Sequence, residues 1–146
     1  MELTTENVRL RPKTRNCYLC GPDNLAGLQV PFFPEGDNGS RAVYTARAEH
    51  GGWPGIVHGG VTFSLMDEAL GWALYFHGLS GVTARVETRF RQPIPIGTSL
   101  VIRAWTLERR RRVVTARAEI RSDSGEQPLP AEADATMYLL DDPDTE

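Results

Sequence analysis

The chain has 146 residues and a formal net charge of −3 at pH 7. Its 40% hydrophobic and 24% charged residues indicate one soluble globular domain and exclude a disordered chain. The acidic balance gives no reason to expect a nucleic-acid partner, and no apolar run is long enough to span a membrane. Because the opening MELTTENVRLRPK lacks the apolar stretch of a signal peptide, we expect a cytoplasmic protein.

The chain before Leu28 contains few apolar residues and a GPDN turn, so we expect it to be irregular. Leu28–Phe33 predicts a first strand at a sheet edge, because Pro31 cannot donate a hydrogen bond to a neighbouring strand. A turn over Pro34–Ser40 and a strand over Arg41–Ala48 follow. The two predicted strands therefore form a hairpin.

Gly60 to about His77 is the only long helical segment in the sequence. Its apolar residues occur around the whole helix surface, at roughly 100° per residue: Val61, Phe63, Leu65, Met66, Ala69, Leu70, Trp72, Ala73, Leu74 and Phe76. Such a helix needs to be buried on all sides, and a single sheet cannot enclose it. We therefore expect the sheet to curl around the helix and a second subunit to cover the remaining side.

Four segments after the helix alternate apolar and polar residues with a period of two, which predicts strands with one buried face: Gly81–Arg91, Thr98–Glu108, Val113–Arg121 and Ala131–Leu140. In the first of these, the predicted inner residues are Val82, Ala84, Val86, Thr88 and Phe90. Short connections favour antiparallel pairing. The sequence thus predicts an α+β fold, with a curved antiparallel sheet of five to six strands around one long central helix.

The helix begins with the motif HGG at His58–Gly60 and carries Asp67 and Glu68 in its middle. Unpaired N–H groups at a helix start favour negative charge, and glycine lets a ligand carbonyl approach them closely. An unpaired carboxylate in an apolar interior is costly, so Asp67 either reaches water at an interface, forms an ion pair across a dimer interface, or serves as a base. Glu68 points about 100° away from Asp67 and is expected at a solvent or subunit interface. A polarised carbonyl and a carboxylate suit attack by water on an acyl group.

The HGG motif followed by an acid nine residues after its His resembles the hotdog-fold acyl-CoA thioesterases of the phenylacetate-degradation type, in the thioesterase superfamily. The segments WPGIVHGG, LMDEALGWA and VTARVETRFRQPIPIG add to the resemblance, and CYLCGPDNLAGL is similar to a CxxCG lead-in of one subgroup. The resemblance implies an irregular lead-in over residues 1–27, a hotdog thioesterase domain over 28–140 and an acidic disordered tail over 141–146.

By this resemblance, the chain hydrolyses an acyl-CoA thioester as a homodimer or homotetramer, with no cofactor. Gly59 matches the glycine whose N–H holds the thioester carbonyl, and Gly60 supports it. Asp67 matches the general base or nucleophile, at a site shared with the partner subunit. Thr83 falls where a hydroxyl residue of some members helps to place the water, and His58 is expected to order the loop beside the substrate.

One departure from the family pattern leaves the function open. Members often carry an Asn or Gln shortly before the HGG motif, whereas this chain has Glu49–Gly52, with no amide. His50 is the candidate replacement, although both His50 and His77 are expected at the surface. Two alternatives remain beside thioester hydrolysis. The HGGWPG segment that begins at His50 is similar to the His-bearing loop of hotdog hydratases and dehydratases that act on acyl thioesters, and the missing amide suggests a non-catalytic acyl-CoA binding domain.

Two groups of arginines are candidate ligands for the phosphates of coenzyme A, because a guanidinium group matches the geometry of phosphate oxygens. Arg89 and Arg91 lie in the strand after the helix, and Arg110 and Arg111 lie in the ERRRR segment. The simpler interpretation of that segment is a solvated hairpin turn.

Cys17 and Cys20 form a CxxC motif that corresponds to half of a zinc knuckle. A structural zinc site needs four ligands, and the sequence contains no second pair. A redox role is disfavoured because no βαβ pattern surrounds the motif. The sequence therefore predicts no metal site and a turn of small residues packed against the sheet.

Overall fold

The computed structural model describes residues 15–125 and 129–140. The predicted tail and the first half of the predicted lead-in lie outside these residues. The elements are β1 (Phe33–Glu35), β2 (Gly39–Thr45), a short 3-10 helix (Ala48–His50), α1 (Gly59–Tyr75), β3 (Gly81–Phe90), β4 (Ser99–Arg110), β5 (Val113–Ser122) and β6 (Ala131–Leu139). The predicted order of two strands, one long helix and four strands is confirmed.

All six strands form one antiparallel sheet in the order β1-β2-β4-β5-β6-β3. The sheet curves around α1, which contacts every strand. Inward side chains of β4, β5 and β6 build most of the core: Leu100, Ile102, Ala104, Val114, Ala116, Ala118, Ile120, Ala133, Ala135, Met137 and Leu139. The predicted α+β hotdog architecture is therefore confirmed.

The first predicted strand is mostly wrong, because β1 begins only at Phe33. The preceding residues bond to the lead-in instead of the sheet: the Leu28 N–H donates to the Tyr18 carbonyl and the Val30 N–H donates to the Leu19 carbonyl, each at 2.9 Å. The side chains of Leu28 and Val30 are buried in the core. Buried and more exposed side chains alternate over Leu28–Phe32. This alternation reflects burial beneath the lead-in and does not indicate strand pairing.

Strand β3 also differs from the expectation. Its register with β6 shifts between Thr83 and Arg85, which places a bulge at Ala84 and reverses the predicted alternation before it. Val82 is 50% exposed and Phe90 is 58% exposed, although both were expected to face the core. Because β3 is the last strand in the sheet, one of its edges has no strand beside it in the described chain.

Helix α1 is buried on one side only within a single chain. Its sheet-facing residues include Leu65, Met66, Ala69 and Leu70, whereas Asp67 lies on a half-buried side. The sheet thus encloses the helix only in part, and the half-buried side is the one for which a covering second subunit remains a prediction. None of the helices in the described residues is long and apolar enough to cross a membrane.

Candidate active site

Asp67 and Thr83 meet in a cavity between α1 and the start of β3. The Thr83 hydroxyl donates a hydrogen bond of 2.7 Å to Asp67 Oδ1. The cavity has a volume of about 430 Å³ and is lined by Cys17, Asp67, Glu68, Gly71, Trp72, Gly81, Val82, Thr83 and Met137. The hydrogen bond uses one carboxylate oxygen of Asp67, which leaves the second oxygen available to a bound molecule.

The bulge in β3 explains why Thr83 reaches the helix. Strict alternation assigns Thr83 to the outer face of the sheet, opposite Val82. With the bulge at Ala84, the Thr83 hydroxyl instead lies beside Asp67 and 3.5 Å from Met137 Sδ. The sequence therefore identified the right residue while predicting the wrong face, since a bulge leaves no clear signal in the pattern of residues.

The helix start is capped by His58. Its Nδ1 accepts a hydrogen bond of 2.8 Å from the Gly60 N–H. A Cβ atom at position 60 would lie 3.0 Å from that nitrogen, so glycine is needed for the cap. The capping bond engages the Gly60 N–H within the chain and uses His58 Nδ1 as its acceptor, while the expected roles of both residues towards a substrate stay predictions.

Gly59 has a different environment. No hydrogen bond of its N–H is found among the described residues, and the residue is exposed. A Cβ atom at this position would meet only the Phe90 ring, at 3.8 Å. Because packing within the chain does not require glycine here, the missing side chain leaves open the approach to a free N–H at the positive end of α1.

Gly59 and Asp67 do not line the same cavity within one chain. Gly59 borders a second cavity, of about 580 Å³, formed with His58, Val57 and the loop Gly51–Pro54. Eight residues of helix separate Gly59 from Asp67, which corresponds to about 12 Å along the helix axis. One thioester carbonyl cannot contact both groups of the same chain at hydrogen-bonding distance.

His50 is not at the surface, contrary to the expectation. It is buried, with its Nδ1 bonded to the Tyr44 hydroxyl and its Nε2 3.4 Å from Arg47 Nη2. Burial and then the charge of Arg47 lower the pKa of His50. Both ring nitrogens thus face protein groups, which makes His50 a poor replacement for the missing amide.

The four candidate arginines lie at opposite ends of the sheet. Arg110 pairs with Val113 of β5, which pairs with Tyr138 of β6, which in turn pairs with Val82 of β3. Arg110 therefore lies at the end of the sheet that contains Thr83. Arg111 follows in the exposed turn between β4 and β5, with a φ of 54°.

Arg89 and Arg91 lie at the far end of β3 and converge on the buried carboxylate of Glu132. Arg91 Nη2 is 2.6 Å from that carboxylate, and Arg89 Nη1 is 3.9 Å away. Arg91 is therefore engaged with a protein carboxylate, whereas Arg89 makes only longer contacts.

The CxxC turn lies next to Glu68 of α1, and Cys17 borders the cavity together with residues of β3 and β6. Cys17 Sγ is 3.5 Å from Glu68 Oε1, which also accepts a 3.2 Å hydrogen bond from Trp72 Nε1. The Cys20 thiol and two backbone N–H groups lower the pKa of Cys17 to about 5, although burial opposes this shift. Burial raises the pKa of Glu68 to about 7. The hydrogen bond to Cys17, and then burial, raise the pKa of Cys20.

Several residues of the cavity were not identified from the sequence as parts of a site. Gly71 follows Asp67 by one helical turn, and Met137 contributes from β6. Glu68 was assigned to an interface, although it contacts the lead-in of its own chain. A glycine inside a strongly helical segment was the one available signal, because glycine weakens a helix and its presence needs a reason.

Comparison with solved structures supports the same fold. Protein RHA08564, described as a thioesterase superfamily protein, has a TM-score of 0.79 at 28% identity, over 86% of this chain. The match spans only 61% of that protein's length. The protein smu.793 from Streptococcus mutans UA159, whose structure is bound to acetyl CoA, has a TM-score of 0.70 at 17% identity, over 76% of this chain and 88% of its own.

The PaaI protein from the E. coli phenylacetic acid degradation operon has a TM-score of 0.71 at 21% identity, over 78% of this chain and 81% of its own. Similarity to smu.793 and PaaI at these identities shows the fold alone. No curated protein matches the chain. The model of the thioesterase superfamily matches residues 54–129, which is more than half of the sequence. With this extent of match, and with α1 packed against a curved antiparallel sheet, the chain belongs to the thioesterase superfamily.

Proposed function

We propose that the protein hydrolyses an acyl-CoA thioester to a free acid and coenzyme A. The observation that carries this proposal is the hydrogen bond from Thr83 to Asp67 inside an open cavity. Membership of the thioesterase superfamily supports the reaction class. The bound acetyl CoA of smu.793 supports the thioester class only by analogy of fold.

Asp67 acts on the reacting groups and Thr83 positions it. In the base mechanism, Asp67 takes a proton from water while the water oxygen bonds to the thioester carbon. The carbon–sulfur bond then breaks, and coenzyme A leaves as a thiolate that takes up a proton. In the nucleophile mechanism, Asp67 attacks the carbon itself, and the carbon–sulfur bond breaks as coenzyme A leaves as a thiolate that takes up a proton. Water then hydrolyses the resulting anhydride, which releases the free acid and restores Asp67. In both, the Thr83 hydroxyl fixes the carboxylate through Oδ1.

We further propose that a homodimer completes the site. The free edge of β3 and its exposed Val82 and Phe90 provide a surface for a second copy. When two identical strands pair antiparallel about a two-fold axis, the start of one lies beside the end of the other. Within one chain, Asp67 of α1 lies beside Thr83 at the start of β3, and Gly59 of α1 lies beside Phe90 at the end of β3. Such pairing brings Gly59 of the partner subunit towards Asp67.

The same pairing suggests how coenzyme A binds. Arg110 and Arg111 lie at the Asp67 end of one chain, and the partner's Arg89 and the partner's Arg91 approach this end from the other chain. Exposed guanidinium groups from both chains thereby surround the entrance to one cavity. Arg110, Arg111 and the partner's Arg89 are proposed to hold the phosphates, while the acyl group enters the cavity. Arg91 adds positive charge at this place but stays bound to Glu132 of its own chain.

The test is a thiol-release assay on a panel of acyl-CoA substrates with different acyl groups, together with Asp67→Asn. Asp37→Asn, which changes an exposed turn residue, is the matched control. We expect thiol release by the wild type and the control and a large loss in Asp67→Asn. Water addition to an enoyl-CoA without thiol release would identify a hydratase instead. Tight acyl-CoA binding with no turnover of any substrate would identify a binding domain.

A further inference from the structure

The CxxC turn and Glu68 form a cluster that the proposed hydrolysis does not use. Cys17 Sγ, Cys20 Sγ and a carboxylate oxygen of Glu68 all lie within 4.8 Å of one another. Around a tetrahedral zinc ion, two sulfur ligands stand about 3.8 Å apart, and a sulfur and an oxygen ligand stand about 3.5–3.7 Å apart. The 3.5 Å between Cys17 Sγ and Glu68 Oε1 already matches this spacing. Glu68 is thus the third donor that the sequence did not reveal.

The turn has a geometry that holds both thiols in place without a metal. The Gly21 N–H donates to the Cys17 carbonyl at 2.9 Å and closes the turn. Only glycine fits at position 21, because a Cβ atom would lie 2.3 Å from the Cys17 backbone nitrogen. The turn thereby keeps the two thiols within 4.8 Å of each other and of a Glu68 oxygen. Deprotonated thiols are the form that binds metal ions.

The charge balance of the cluster also favours a cation. Glu68 bonds to the Cys17 thiol at 3.5 Å and to the Trp72 indole N–H at 3.2 Å, and neither of these partners carries a positive charge. Other half-buried or buried carboxylates of the described chain, such as Glu35 and Glu132, are paired with arginines. A carboxylate that is withdrawn from water beside two thiols requires either protons or a bound cation.

We propose that Cys17, Cys20 and Glu68 bind one divalent metal ion of the zinc class, whose fourth coordination position faces the cavity that contains Asp67. Cys17 and Glu68 line this cavity, whereas Cys20 is buried behind them. The Trp72 N–H holds Glu68 from outside the ligand set, as outer-shell partners of metal ligands do. The ion would connect the lead-in to α1, which are 51 residues apart at Cys17 and Glu68.

Cobalt titration of the full chain tests this proposal. The protein is stripped with a chelator under reducing conditions, and Co²⁺ is then added without oxygen. We expect one Co²⁺ per chain, with the visible bands of tetrahedral cobalt and thiolate-to-cobalt charge transfer in the near ultraviolet. Added Zn²⁺ should displace the cobalt. A spectrum without thiolate charge transfer, or binding that does not saturate at one ion per chain, would overturn the proposal.

Glu68→Gln and Cys17→Ser identify the ligands. We expect each to weaken binding by more than the roughly 10–100-fold that loss of an outer-shell partner costs. Glu87→Gln, which changes an exposed carboxylate of β3, should bind as the wild type does. Circular dichroism verifies the fold of each variant, and these two partly exposed positions avoid the packing change expected in Cys20→Ser. Wild-type affinity in Glu68→Gln would overturn the assignment of Glu68.

A redox pair is the competing interpretation of the cluster. A mild thiol oxidant, which accepts two electrons and two protons, converts the two thiols to a disulfide. Bound metal should slow this oxidation by at least about tenfold, since the thiolates are then coordinated. Equal rates of disulfide formation in zinc-treated and stripped protein would contradict the metal site. All these readouts are independent of thioester hydrolysis, so they can fail while the proposed function holds.

Discussion

Asp67 and Glu68 are adjacent in the sequence, but they lie in different walls of one cavity. Asp67 accepts a hydrogen bond from the Thr83 hydroxyl of β3. Glu68 accepts a hydrogen bond from the Trp72 indole of the same helix and lies beside the two thiols of the lead-in. The difference follows from the rotation of about 100° per residue in a helix. Two residues of the same chemical type thereby acquire different partners. The role of each carboxylate depends on the element that its side chain faces.

The largest expected effect comes from exchanging each carboxylate for its amide. We expect Asp67→Asn to lower kcat for thiol release by about 10²–10⁴-fold, because the amide can neither accept the proton nor attack the carbon. Glu68→Gln, assayed on metal-free protein, should lose less than about tenfold, since that carboxylate is placed to bind metal rather than substrate. The measurement is steady-state thiol release by both variants. Similar losses of kcat in Asp67→Asn and Glu68→Gln would show that the two carboxylates do not have separate functions.

The next effect concerns the partner of Asp67. We expect Thr83→Ala to lower kcat by about 10–100-fold, because a hydrogen bond to a charged group contributes about 1.5–3 kcal/mol. Thr83→Ser keeps the hydroxyl and should retain most of the activity. The comparison of kcat with KM distinguishes positioning from binding. A loss in Thr83→Ser as large as in Thr83→Ala would show that the methyl group, rather than the hydroxyl, matters.

Substitution of Gly71 has a smaller expected effect, which improves stability and impairs substrate binding. A Cβ atom at this position meets no protein atom within 4 Å, and the residue lines the cavity one turn after Asp67. We expect Gly71→Ala to raise the free energy of unfolding by about 0.5–1 kcal/mol, because alanine favours the helix. The added methyl group should raise KM for acyl-CoA. Chemical denaturation and the substrate dependence of thiol release measure the two effects, and an unchanged KM would place substrate elsewhere.

The smallest effect comes from Glu132, a carboxylate outside the cavity. Its hydrogen bond with Arg91 lowers the pKa of Glu132, with a further contribution from Arg117. A lowered folded-state pKa gives stability that is present above the ordinary value of 4.5 and is lost as the pH falls through the folded-state pKa. We expect the wild type to have a higher Tm than Glu132→Gln at pH 7, with the difference shrinking as the pH falls below 4.5 and vanishing below the folded-state pKa. A difference independent of pH would exclude ionisation as its cause.

Local patterns were sufficient for most of the fold. The apolar run of α1 and the alternation in β5 and β6 predicted these elements, because a long helix and half-buried strands impose periods of 3.6 and 2 residues on the sequence. The failures occurred where burial came from an irregular neighbour, as for Leu28 and Val30, or where a bulge reversed the faces of β3. Neither feature leaves a periodic signal.

For the site, the spacing of residues along the predicted helix could be derived from the sequence alone: a glycine pair lies at the helix start and a carboxylate follows two turns later. Only the tertiary structure decided their partners. It assigned the Gly60 N–H to His58, brought Thr83 to Asp67 and placed Cys17 beside Glu68. The physical reason is that spacing along a helix is set by local geometry, whereas contacts between distant segments depend on how the whole chain packs.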